Sequence, residues 1–329
     1  MLADPPPGIR HRVRIVTMTV LGTSDLTVFP LSFGGNVFGW TADRDTSFAV
    51  LDAFAAAGGD FVDTADVYSA WAPGNSGGES ETILGEWIAA RRPSGVVIAT
   101  KVSKHPEFPG LSAANVRAGA EASLTRLGVD TIDVYYAHAE DDETPLEETV
   151  AAFGALVSDG LIRYPAISNF SADNTREWVR LAREQGVAEP IVTQPRYNLV
   201  DRAIERDVKP AAEELGLTVV PYSALASGFL TGKYRSTDAS GQSSPRAGSA
   251  AAYATPEGLA VLSALDDVAA AHDVAPASVA LAWLRAKGTV PIASASRVDQ
   301  VDALIAGATI DLAADEVAAL DAASAPFVG

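Results

Sequence analysis

The chain has 329 residues, 48% hydrophobic and 20% charged, with 42 acidic against 24 basic residues and a net charge of −18. That length suits one large α/β barrel or two smaller domains, and the acidity opposes a surface made for nucleic acid or anionic membrane. The absence of cysteine excludes disulfides, thiolate metal sites and thiol nucleophiles.

Residues 1–17, MLADPPPGIRHRVRIVT, contain arginines but no apolar stretch of the kind a secretory leader needs. No apolar run approaches the roughly 18 residues of a membrane span, so the expected location is the cytoplasm. Pro5-Pro6-Pro7-Gly8 disfavours regular structure. Residues 1–17 are therefore expected to form a weakly structured extension, with Met18 a candidate start and one domain over 18–329. Residues 19–30 alternate around Gly-Thr-Ser-Asp and read as a β-hairpin that caps a barrel floor.

From residue 31 onward, short apolar runs rich in Val and Ile alternate with helix-like segments. The strand candidates are residues 31–34, 61–63, 96–101, 132–138, 162–168, 191–194, 218–223 and 289–294. The intervening helices include residues 47–58, 80–92, 113–128, 146–160 and 174–186. Gly58, Gly128, Gly160 and Gly186 stand where helix-terminating glycines belong. Eight strands alternating with helices predict a (β/α)8 TIM barrel with an N-terminal β-hairpin. A doubly wound sheet is the alternative, but no GxGxxG fingerprint follows any strand. The longest gap, residues 224–256, is rich in Gly and Ser and leaves the C-terminal end of the seventh strand, where barrel active sites lie.

The strand ends carry Asp63, Lys101, His138, Ser168, Asn169, Gln194 and Tyr222, and Tyr68 follows just past Asp63. Alone, each is ordinary: a turn-forming aspartate, a strand-terminating lysine, a core histidine. Together, on adjacent strands roughly 4.8 Å apart, Asp63, Tyr68, Lys101 and His138 make an acid–base device without nucleophile or metal. It suits protonation of a carbonyl oxygen by Tyr68. Lys101, kept charged by Asp63, is expected to lower the tyrosine pKa, and His138 to orient the substrate oxygen. No side chain can supply a hydride, so a cofactor is required.

The stretches LGTSDLTVFPLSFG, FVDTADVYS, GGESETILGEWI, IATKVS, IDVYYAH, GLIRYPAISNF, QPRYNL, PYSALASGFLTGKY and SASRVDQ resemble the aldo-keto reductase superfamily, from about Thr19 to Gln300. The resemblance implies a bacterial-type NADPH-dependent reductase of aldehydes or ketones, with NADH possible and with Asp63, Tyr68, Lys101 and His138 as its tetrad. It implies that Ser168, Asn169 and Gln194 hold the nicotinamide carboxamide, that Tyr222 stacks under the ring, and that Ser223, Leu225, Gly228 and Lys233 wrap the pyrophosphate. Arg246 falls where the family's long loop carries an arginine and is expected to bind the cofactor. Gly35, Asn36, Ser294, Ser296, Arg297 and Gln300 complete the cofactor set, with Arg297 the expected partner of the 2′-phosphate. Phe38, Trp40, Trp71 and Tyr253 are expected to wall the substrate pocket around a small carbonyl compound. A monomer or small homo-oligomer is expected, with no nucleic-acid or membrane partner.

Four departures from the family pattern stand out. Ser294 replaces a glycine, Ala303 and Leu304 replace a Glu-Asn pair, and Gly35-Asn36 replace larger residues. Pro165-Ala166 interrupts the fifth strand, where a proline removes a ladder donor and predicts a distortion. Two other functions fit the same fold: a cofactor-binding regulatory or interaction subunit, and a flavin-dependent barrel reductase, which would be yellow.

Overall fold

A computed structural model describes residues 16–238 and 244–329. The expected extension falls mainly on residues 1–15, outside the described residues. The chain opens with the antiparallel hairpin β1 (Thr19–Val20) and β2 (Thr27–Val28). Eight parallel strands follow: β3 (Ser32–Gly34), β4 (Phe61–Asp63), β5 (Val97–Val102), β6 (Ile132–Ala137), β7 (Ile162–Ser168), β8 (Val192–Gln194), β9 (Thr218–Val219) and β10 (Ile292–Ala293). They pair in the order β10-β3-β4-β5-β6-β7-β8-β9. Val290 N–H donates to Val219 O at 3.0 Å and Ile292 N–H to Pro221 O at 2.9 Å, joining the two ends of the sheet into a closed barrel.

Helices α1 (Arg44–Ala56), α2 (Glu79–Arg91), α3 (Ala113–Leu127), α4 (Leu146–Ser158), α5 (Ala172–Gln185) and α6 (Val208–Leu215) alternate with the strands. Their ends follow local chemistry. Asp43 caps α1 by accepting from Thr46 N–H, and Ser112 and Ser171 cap α3 and α5 in the same way. Gly58, Gly128, Gly160 and Gly186 all take left-handed φ values just past their helices. Within the long gap lie the short helix α7 (Ala247–Ala251) and a 3-10 turn over Ala226–Thr231. Then come α8 (Pro256–His272), α9 (Pro276–Ala286), α10 (Val301–Thr309) and α11 (Ala314–Ala323).

The strand pleat sorts the core into two layers. Phe61, Val97, Ala99, Val134, Tyr136, Ala166, Val192, Val220, Val290 and Ile292 fill the barrel interior, and Leu21, Leu26 and Val28 of the hairpin join them. Their neighbours in sequence, such as Val62, Ile98, Tyr135 and Ile167, pack outward with Leu51, Phe54, Trp87, Phe153 and Trp178 of the helices. The expected distortion at Pro165 is absent. The β6–β7 ladder runs through it, Val134 opposite Tyr164 and Tyr136 opposite Ala166, and Pro165 still accepts from Ile191 N–H at 3.1 Å.

Candidate active site

The same pleat aims the site. Interior residues recur every second position, so one further step from Phe61, Ala99 and Tyr136 brings Asp63, Lys101 and His138 to the C-terminal mouth of the barrel. The same parity carries Ala166 to Ser168, Val192 to Gln194 and Val220 to Tyr222. Register keeps these neighbours level: Lys101 lies opposite Tyr136, and Ser168 opposite Gln194.

Lys101 is fully buried and its ammonium uses all three donors. Nζ donates to Asp63 Oδ1 at 2.6 Å, to Thr64 O at 2.6 Å and to Tyr68 Oη at 3.0 Å. The Tyr68 hydroxyl itself donates to Asp63 Oδ1 at 3.3 Å, and Gln194 Nε2 donates to Asp63 Oδ2 at 2.8 Å. The His138 ring centroid is 6.2 Å from that of Tyr68, with its Nδ1 buried and unpaired. The loop that carries Tyr68 is pinned from below. Ser80 Oγ meets Thr64 Oγ1 at 2.7 Å and donates to Gly35 O at 2.8 Å, while Ser69 Oγ donates to Phe38 O.

Electrostatics correct one expectation. The Tyr68 hydroxyl is pushed well above its ordinary value, by burial first and by the Asp63 carboxylate second. Burial and Asp63 outweigh any lowering by Lys101, whose ammonium also faces Asp63 at 2.6 Å. The phenol therefore holds its proton, with the Lys101 ammonium 3.0 Å away. Burial lowers the pKa of Lys101 itself against the raising effect of Asp63. Burial, reinforced by the charges of Lys101 and Lys104, holds His138 well below the usual histidine range, so its imidazole is neutral.

Around this centre lies a neutral polar cluster. Ser168 Oγ donates to Gln194 O at 2.9 Å, and Asn169 Nδ2 donates to Ser168 Oγ at 3.0 Å and to His138 O at 2.9 Å. The Tyr222 hydroxyl donates to Asn169 Oδ1 at 2.8 Å. Asn169 and Ser223 both take φ of +58°, the strained backbone that functional strand ends often carry. At Leu225–Ala226 φ changes from −107° to +48°, an arrangement that turns successive N–H groups toward one side. Lys233 is exposed beside it, 4.9 Å from the Tyr234 ring centroid. This donor set fits a nicotinamide nucleotide: side-chain amides and hydroxyls suit a carboxamide, and the turned backbone with Lys233 suits a pyrophosphate.

Three basic residues behave differently from that group. Arg235 is tied to Asp266 at 2.9 Å. Arg297 forms two hydrogen bonds to Asp299, each 3.0 Å, with both side chains exposed. Arg246 lies with its guanidinium 5.1 Å from the centroid of the Trp40 ring. Nearby, Ser294 Oγ donates to Asn36 Oδ1 at 2.7 Å, and Ser296 N–H to Gln300 Oε1 at 2.9 Å. Gly34 has no room for a side chain, since a Cβ would lie 2.6 Å from Ser294 Oγ. Trp40 and Trp71 meet edge-on at 5.6 Å, and Trp71 reaches Tyr68 at 6.1 Å. Tyr253 packs on Phe229 at 5.8 Å. Phe38 departs from its expected place in the pocket wall: it is fully buried and stacked on Phe33 at 5.8 Å.

The aldo/keto reductase family model matches residues 30–325. The chain belongs to the aldo/keto reductase family. It is 34% identical over 312 residues to "Uncharacterized oxidoreductase YrpG" of Bacillus subtilis, covering 89% of this chain and 91% of that one. It is 30% identical over 335 residues to "Norsolorinic acid reductase stcV" of Emericella nidulans, covering 96% and 82%. It is 38% identical over 221 residues to a "Probable voltage-gated potassium channel subunit beta" of Oryza sativa subsp. japonica, covering 65% of each chain. This aldo/keto reductase is an NAD(P)H-dependent oxidoreductase of the kind that reduces carbonyl groups. No helix among its described residues is long and apolar enough to cross a membrane.

One feature of this aldo/keto reductase had no signal in the sequence. Asp66, three residues past Asp63, is fully buried with neither carboxyl oxygen hydrogen-bonded. Burial, with the nearby Glu81 carboxylate, raises its pKa to about 8. Glu81 is itself buried, paired with Arg126 at 2.6 Å and accepting from the Thr100 hydroxyl at 2.5 Å. A loop aspartate carries no periodicity from which burial could be read.

Proposed function

We propose that this protein reduces aldehydes or ketones to alcohols with NADPH, Tyr68 giving the proton. The observation that carries the reading is the contact of Lys101 Nζ with both Tyr68 Oη, at 3.0 Å, and Asp63 Oδ1, at 2.6 Å. When bound, the reduced nicotinamide supplies the hydride to the carbonyl carbon. As the C=O bond becomes C–O, its oxygen takes the Tyr68 proton, and Lys101 stabilises the phenolate left behind. Asp63 keeps Lys101 charged in a buried site. Neutral His138 orients the carbonyl oxygen, and the phenolate recovers its proton from water.

Ser168, Asn169 and Gln194 would hold the carboxamide, Tyr222 would lie against the ring, and Ser223, Leu225, Gly228 and Lys233 would hold the pyrophosphate. Ser294, Ser296, Arg297 and Gln300 would surround the adenosine end, and Gly35, Asn36 and Arg246 belong to the same proposed cofactor site. The rice relative's name favours a second reading, a cofactor-binding accessory subunit. A complete tetrad favours the enzyme, because a binding protein loses nothing without it. Steady-state NADPH oxidation with a panel of aldehydes tests the choice. Many turnovers per site support the reductase; a single slow turnover with retained cofactor supports the subunit and overturns the proposal.

A further inference from the structure

The chain has five lysines, and four of them have partners. Lys101 faces Asp63 in the tetrad, Lys209 pairs with Glu213, Lys287 pairs with Asp321, and Lys233 stands over the Tyr234 ring. Lys104 is the fifth. It is exposed three residues beyond Lys101, on the loop that leaves β5, and among the described residues no carboxylate lies within ion-pair reach of it. The loop that presents it is short and tied down. Gly110 N–H donates to Ser103 O at 2.8 Å and Phe108 N–H to His105 O at 3.0 Å, and the buried His105 ring stacks on Phe108 at 5.4 Å. Gly77, from the loop of Tyr68, approaches that ring so closely that a Cβ would lie 2.6 Å from it.

The charges on this side of the mouth do not cancel. Asp63 offsets Lys101 at 2.6 Å, and His138 is neutral. Asp66, the one acidic group that acts on Lys104, keeps its proton below about pH 8. One positive charge is left over beside His138, on a chain whose net charge is −18.

We propose that the carbonyl compound reduced here carries an anionic group, a carboxylate in the simplest case, and that Lys104 receives it. This rests on the reading of Tyr68 as the proton donor. Topology separates this anion from those of the cofactor. The groups proposed for the cofactor leave β3 and β7 to β10, whereas Lys104 leaves β5, between the strands that lead to Tyr68 and to His138. An uncompensated charge in a cleft concentrates ligands of the opposite sign. Desolvation, opposed by Asp66, already lowers the Lys104 pKa, and an anion seated beside the ammonium offsets that cost. The four-carbon stem lets the ammonium follow substrates of different length. Trp71, half exposed and 6.1 Å from the Tyr68 ring, offers an apolar face to the carbon skeleton.

The 3- and 4-formylbenzoates and their matching formylbenzamides differ in charge and little in shape. For at least one pair, wild type at pH 7 should show a kcat/KM at least about fivefold higher for the benzoate, which exceeds what an exposed ion pair supplies. Lys104→Met should remove that preference through the KM of the benzoate, with the Kd for NADPH within about twofold of wild type; Lys104→Arg should keep most of the preference. A smaller wild-type ratio for both pairs would overturn the proposal. So would equal losses on both members of a pair in Lys104→Met, which would make Lys104 a structural part of its loop. A much weaker NADPH Kd in that variant would assign the ammonium to the cofactor and overturn it too. Calorimetric titration of the NADP+ complex with benzoate and with benzamide needs no turnover. If no aldehyde is reduced yet benzoate binds wild type and not Lys104→Met, the reductase reading fails and the anion site stands. If benzoate binds both alike, or neither, the anion site fails whatever turnover shows.

Discussion

Asp66→Asn should remove a pH dependence of stability that the wild-type fold carries. The Asp66 carboxyl titrates at about 8 in the folded chain, against 3.8 for an ordinary aspartate. The folded state therefore binds this proton more tightly than the unfolded state. Its stabilising effect is complete below about pH 4, declines as pH rises, and is gone above about pH 8. Each pH unit in that window corresponds to about 1.4 kcal/mol, so from pH 5 to pH 9 the loss is on the order of 4 kcal/mol. Asparagine has nearly the same shape and does not titrate. Urea unfolding of both proteins at several pH values from 5 to 9, compared as a difference, cancels every other titrating group. The difference should swing toward the variant as pH rises, by several kcal/mol. Curves that stay parallel within about 0.5 kcal/mol would show that Asp66 ionises freely, and the argument from its buried, unpaired oxygens would be wrong.

Tyr68→Phe should lower kcat by about 10²–10⁴-fold and leave the NADPH Kd near wild type; retention of more than a tenth of kcat would make Tyr68 the wrong acid. The same variant should melt within a few degrees of wild type, since the hydroxyl's hydrogen bonds contribute about 0.5–1.5 kcal/mol each. Because burial and two ammonium groups keep His138 neutral, kcat/KM should be level through pH 6–7; an inflection near 6.5 that vanishes in His138→Gln would contradict this. Arg297→Ala should raise the NADPH Kd at least tenfold and barely move that for NADH if Arg297 leaves Asp299 for the 2′-phosphate. If both constants stay within about twofold, the surface ion pair is its whole role, consistent with the small worth of exposed pairs.

The barrel and its mouth were legible because strand periodicity survives in short apolar runs. Parity alone places Asp63, Lys101, His138, Ser168, Gln194 and Tyr222 on the inner face, and left-handed glycines mark helix ends. Other features depend on tertiary context. Pro165 leaves its strand straight because the ladder to β6 continues on either side of it. Phe38 reads like Trp40 in the sequence but turns into the core to stack on Phe33. The net shift of Tyr68 could not be read from its proximity to Lys101, since burial and Asp63 outweigh the ammonium. Arg246 was legible as a loop cation, not as one lying against Trp40.

The hairpin that seals the floor has a consequence for how this protein can change. Leu21, Leu26 and Val28 close the barrel at the opposite end from Tyr68 and Lys101, with the interior layer of Phe61, Val97, Val134 and Val192 between them. Substitutions at sites well separated in space combine additively. Hairpin residues can therefore drift toward greater heat tolerance while Trp40, Trp71 and Tyr253 are reshuffled for new substrates, with little epistasis between the two histories. A lineage carrying a reinforced floor would have stability in reserve for loop variants that alone would unfold it.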